Sequence, residues 1–123
     1  MIEVSTEEQL NELIRSSKVA LILLYNSRDP QSRYVASIVE DIARLVEPAI
    51  STAVVDEADQ PGIVQKYART VPRLLLFIDG EKVWEQIGFF YTPSHDKYAI
   101  RRGILRALKS RGLTPSALSI RLR

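Results

Sequence analysis

The residues best placed to do chemistry stand in one short stretch, Asn26-Ser27-Arg28-Asp29-Pro30-Gln31-Ser32, directly after the apolar run Val19–Tyr25. Asp29 and Ser32 set a carboxylate and a hydroxyl three positions apart at the entry to a helix. A carboxylate there accepts otherwise unpaired backbone N–H groups and favours the positive end of the helix dipole, worth on the order of 0.5–2 kcal/mol. Capping fits Asp29 better than catalysis, because no histidine and no second acid stands in register with it. Ser32 would at most activate a bound small thiol. The single histidine, His95, lies between Ser94 and Asp96 at a helix start, with no metal-ligand set around it. No glycine-rich phosphate loop and no Ser-His-Asp arrangement is present. The chain also has no cysteine. That removes thiolate chemistry, structural disulfides and cysteine-based zinc sites together.

Two further features point to binding. Phe89-Phe90-Tyr91 places three aromatics in a connection, where they cannot all face inward, and an exposed aromatic cluster can anchor a partner. The other feature is charge. Residues 1–94 hold 9 Lys/Arg against 14 Asp/Glu, a balance of −5, whereas residues 95–123 hold 8 against 1, a balance of +7, giving the net +2 of the whole chain. On the last helix Ile100, Ile104, Ala107 and Leu108 share one face, and Arg102, Arg106 and Lys109 gather opposite, with Arg111, Arg121 and Arg123 beyond. Such a stripe can neutralise nucleic-acid phosphates or dock an acidic protein surface. It is equally a solvated helix face whose cations favour the helix C-terminus.

The elements that must position these residues follow from periodicity and punctuation. With 123 residues, 46% apolar and 26% charged, the chain is one globular domain with one proper core. Ser5-Thr6-Glu7-Glu8 reads as a capping box with Ser5 as N-cap, opening a helix to about Arg15. Val19–Tyr25 is a central strand covered on both faces. Pro30 to Val46 is a helix stopped by Glu47-Pro48. Ala53–Val55 is a short strand, and Gln60-Pro61-Gly62 introduces a helix to about Tyr67. Arg73–Ile78 and Lys82–Ile87 flank Asp79-Gly80, a strong hairpin signal. The last helix covers Ser94–Ser110 and ends at Gly112, and Thr114-Pro115 caps a short turn before a frayed tail. The order β-α-β-α-β-α-β-β-α predicts an α/β fold: a mixed parallel and antiparallel sheet of four to five strands with helices on both faces. The domain is expected over 1–112, with a basic tail at 113–123.

Four stretches in this order carry a family resemblance: LILLYNSRDPQSRYVASIVEDIA, DQPGIVQKYARTVP, RLLLFIDGE and Ile87-Gly88. Over roughly residues 1–110 the chain resembles the thioredoxin-like superfamily. In that likeness Asp29 falls on the nucleophilic cysteine, Ser32 on the resolving cysteine, and Arg28 on the tryptophan before them. Leu23 falls on the buried acid, Ser37 on the helix-kinking proline, and Pro72 on the cis-proline. The resemblance thus implies the framework of a disulfide-exchange enzyme with every chemical part replaced.

It further implies that Val71, Pro72 and Arg73 face the Arg28–Ser32 turn and wall a groove for extended peptide, with Phe89, Phe90 and Tyr91 beside them. Cysteine-free relatives serve as binding, adaptor or chaperone-like modules, so a non-catalytic role with a protein or peptide partner and no cofactor is expected. The alternatives are nucleic-acid association through the basic helix and tail, and binding of a small thiol such as glutathione. Self-association is also open. No apolar run approaches the roughly 20 residues that span a bilayer, and the N-terminal residues carry no export signal. A cytoplasmic protein without membrane contact is the expectation.

Overall fold

Six of the seven residues of Val19–Tyr25 are buried, and this strand organises everything around it. The computed structural model describes residues 1–122. In chain order the elements are β1 (Ile2–Glu3), α1 (Glu7–Ser16), β2 (Val19–Tyr25), α2 (Pro30–Val46), β3 (Ser51–Asp56), α3 (Pro61–Gln65), β4 (Arg73–Ile78), β5 (Glu81–Gln86) and α4 (Pro93–Ser110). One mixed sheet runs β1-β3-β2-β4-β5. β3 lies parallel to β2, with Leu23 opposite Val54, and β4 lies antiparallel on the other side, with Leu23 opposite Leu74.

Alternation along β2 divides the interior into two layers. Val19, Leu21 and Leu23 face Val35, Val39 and Ile42 of α2 and Ile100, Ile104 and Leu108 of α4. Ala20, Ile22 and Leu24 face Leu10 and Ile14 of α1 and Ile63 and Val64 of α3. Helices therefore cover both faces, as the near-continuous apolar run requires.

Local signals explain most boundaries. Asp79 and Gly80 both take positive φ, 51° and 79°, as a two-residue hairpin between right-twisted strands demands. At the end of α4, Gly112 has φ 71°. Its N–H donates to the Lys109 carbonyl (3.0 Å), and the Leu113 N–H donates to that of Leu108 (2.9 Å). That pair of bonds satisfies carbonyls the helix would leave open. The peptide bonds before Pro48 and Pro72 are cis.

Three expectations need correction. The N-cap of α1 is Thr6, not Ser5: the Thr6 hydroxyl accepts the Gln9 N–H at 3.1 Å, while the Gln9 side chain accepts the Ser5 N–H at 2.8 Å. Both positions carry competent caps, and the second one set the register. The helix after Gln60 is shorter than expected, ending at Gln65. The segment after Gly112 is not frayed. Ile120 and Leu122 are buried in the α2–α4 layer, and the Arg121 N–H donates to the Leu45 carbonyl of α2 at 3.2 Å. The Met1 ammonium also reaches this end of α2, 3.3 Å from the Glu47 carboxylate.

Candidate functional site

Strand pairing brings the expected site loops to one end of the sheet. Leu24 pairs with Arg73 and Leu74 with Gln86. The turn after β2, the Val71-Pro72 segment before β4 and the Gly88–Tyr91 segment after β5 therefore emerge side by side.

The turn after β2 is braced from within. The Asn26 side-chain carbonyl accepts the Arg28 N–H at 2.9 Å, and the Arg33 guanidinium donates to the Ser27 carbonyl at 2.9 Å. Buried Asp56, the last residue of β3, accepts the N–H groups of Ser27 and Ala58, both at 3.0 Å. Burial alone would push the Asp56 carboxyl up. The hydrogen bonds from Ser27 and Ala58, with the Arg28 charge nearby, outweigh it and hold the group below its ordinary 3.8. Asp29 caps α2, its carboxylate accepting the Gln31 N–H at 3.2 Å, with Pro30 in the first turn. Gln31 and Arg28 are exposed. Ser32 is fully buried and its hydroxyl has no partner among the described residues. It is not presented to solvent, so it neither belongs to an exposed binding wall nor offers a hydroxyl to a bound thiol.

Across from this turn, Val71, Pro72 and Arg73 are half-buried. The Arg73 guanidinium lies 3.4 Å from the Glu85 carboxylate of β5. The aromatic triplet divides three ways. Phe89 packs against the α2–α4 layer. Phe90 is 67% exposed, its ring centroid 6.0 Å from that of His95. Tyr91 packs against Tyr34 of α2 with the rings tilted by 45° and their centroids 5.5 Å apart, and takes a left-handed φ of 59°, a strained conformation for a tyrosine. Phe90 and Tyr91 are the exposed members of the triplet.

Asp96 locks this loop and was not anticipated. It is completely buried, accepting the Phe90 N–H at 2.8 Å and the Tyr34 hydroxyl at 2.8 Å. Burial, then the hydrogen bond to Asp96 and its charge, push the Tyr34 phenol up to about 12. The available signal was that Asp96 is the lone acid in residues 95–123.

The basic stripe separates as well. Arg111 turns toward β5 and lies 3.3 Å from the Glu81 carboxylate. Arg121 lies against the end of α2, its guanidinium 3.5 Å from the Arg44 carbonyl. Arg123 lies outside the described residues. Arg102, Arg106 and Lys109 remain together with Arg101, interleaved with Tyr98 and Leu105. The Arg102 guanidinium sits 6.0 Å over the Tyr98 ring. Among the described residues no cluster of His, Asp and Glu is placed to hold a metal ion, and no helix is long and apolar enough to cross a membrane.

No protein-family model matches this chain, and no curated protein matches it in sequence. Its similarity is to solved structures. A mutant thioredoxin from Halobacterium salinarum matches at 24% identity with a TM-score of 0.66, over 83% of this chain and 88% of that one. Oxidised thioredoxin from Plasmodium falciparum matches at 14% identity with a TM-score of 0.69, over 83% and 96%. Mitochondrial thioredoxin 3 from Saccharomyces cerevisiae matches at 16% identity with a TM-score of 0.68, over 83% and 94%. The chain has a thioredoxin fold. Identities this low speak of architecture alone. Within the thioredoxin fold, this chain has no thiolate to offer, because none of its 123 residues is a cysteine.

Proposed function

We propose that this chain is a non-catalytic thioredoxin-fold module that binds a protein partner or an extended peptide at the end of the sheet formed by Arg28–Gln31, Val71–Arg73 and Phe90-Tyr91, in an adaptor or chaperone-like role. The observation that carries this reading is the combination of a braced, three-loop surface with exposed aromatic side chains and the complete absence of sulfur chemistry. Asp56 and Asp96 hold the flanking loops in place, which lowers the ordering cost of binding. Extended peptide would gain main-chain hydrogen bonds beside Val71 and contacts with the Phe90 ring.

Affinity capture from native extract tests the idea. Wild-type bait should retain a defined protein, and Phe90→Ser combined with Arg28→Glu should lose it while the circular dichroism spectrum stays unchanged. Both residues are exposed, so the fold should tolerate the change. Equal recovery by the double variant would remove the sheet-end surface from consideration.

A further inference from the structure

A second surface lies along the flank of the molecule, between β5 and α4. It is an open trough of about 600 Å³. On the α4 side it is bordered by the small residues Ala99, Gly103 and Ala107, with the Trp84 indole seated on Gly103, and Val83 and Trp84 of β5 form the other wall. The register of β5 slips by one residue against β4, between Leu76 and Phe77. The bulge at Val83 turns both Val83 and Trp84 toward the α2–α4 layer. Phe90 and Ser110 are also among its lining residues. Lining residues on α4 run from His95 to Ser110, roughly 22 Å at the rise of a helix. That is the span of about seven residues of extended chain.

The rim is basic. Arg102 and Arg106 border the trough, and neither forms an ion pair among the described residues. The only side-chain carboxylate of residues 95–123 is Asp96, which faces inward to Tyr34. The α4 side of the trough therefore presents unopposed positive charge above an apolar floor. We propose that this trough docks an acidic peptide segment carrying large apolar side chains, whose carboxylates meet Arg102 and Arg106 while its apolar groups lie against Val83 and Trp84. A nucleic-acid backbone fits less well. Its sugar–phosphate chain carries no apolar groups to lie against Val83 and Trp84, while Glu85 on the β5 wall is already paired with Arg73 and Lys82. Pairing of a new strand along β5 is opposed by the bulge and by Lys82 on this edge. The proposal is separate from the sheet-end reading, and the two surfaces share only Phe90.

Trp84 is the sole tryptophan, so its emission reports on the trough directly. The probe is a synthetic peptide of about eight residues in which Glu alternates with Leu or Phe, placing charge on one side and apolar groups on the other. Titration should change Trp84 emission saturably. Arg102→Glu with Arg106→Glu should weaken binding at least tenfold, and the neutral Arg106→Gln severalfold. Replacing the Leu and Phe of the probe by Ser, or its Glu by Lys, should abolish the response. Arg28→Glu should leave it unchanged, which keeps this result independent of the sheet-end surface. Three outcomes would overturn the proposal. One is no response to the Glu/Leu peptide, or a response indifferent to Arg106. Another is tighter binding of a single-stranded oligonucleotide of equal charge. The last is light scattering showing a dimer of this chain that already shields Trp84.

Discussion

Asp56 and Asp96 are buried carboxylates that serve as acceptors for loop backbone, one under the turn after β2 and one under the loop after β5. Because the hydrogen bonds to Asp56 hold its folded pKa below the ordinary 3.8, the group stabilises the fold above the unfolded carboxylate value. That contribution is lost as pH falls through the lower, folded value. Asp56→Ala should cost about 1.5–3 kcal/mol at neutral pH, as expected for removing a charged acceptor. The gap from wild type should shrink when urea midpoints are measured near pH 3; a gap equal at both pH values would exclude the carboxylate as the brace. At this scale legibility follows sequence distance. The capping role of Asp29 was visible because its partner, Gln31, lies two positions on. Asp96 was invisible because one partner, Tyr34, is 62 positions away. Ser32 is buried for a reason equally hidden from local sequence: what covers it comes from other parts of the chain.

At the level of elements, α4 and β5 meet where Gly103 lies against the Trp84 indole. A methyl group at Gly103 would overlap the ring. Alanine would gain up to about 1 kcal/mol in helix propensity, but overpacking costs typically 1–3 kcal/mol. Gly103→Ala should therefore lower the thermal midpoint and alter Trp84 emission in the native state. A midpoint at or above wild type would show that the helix and strand separate more easily than their packing suggests. The hairpin joining β4 and β5 could be read from Asp79-Gly80, since turn type is set by those two residues. The bulge at Val83 could not, because it depends on the register of both strands.

For the molecule as a whole, the mixed sheet with helices on both faces follows from patterns already present in the chain: one strand apolar on both faces, helices with one apolar stripe, and a closing hairpin; the strand order β1-β3-β2-β4-β5 came only with the structure. The C-terminal segment departed from its composition. Its arginines suggested a loose basic tail, yet Ile120 and Leu122 alternate with polar neighbours and insert into the core. Leu122 is fully buried, so Leu122→Ala should cost about 2–5 kcal/mol, read as a drop in the urea midpoint. A loss below about 0.5 kcal/mol, the size of an ordinary surface change, would mean that the segment rests on the domain without supporting it.

The contacts of Met1 with Glu47 and of Arg121 with Leu45 bring Met1 and Arg121 to the C-terminal tip of α2. The turn bearing Arg28 and Asp29 opens the opposite tip of that helix. A tag, tether or fused domain joined at either end would thus leave from the pole remote from the proposed partner face.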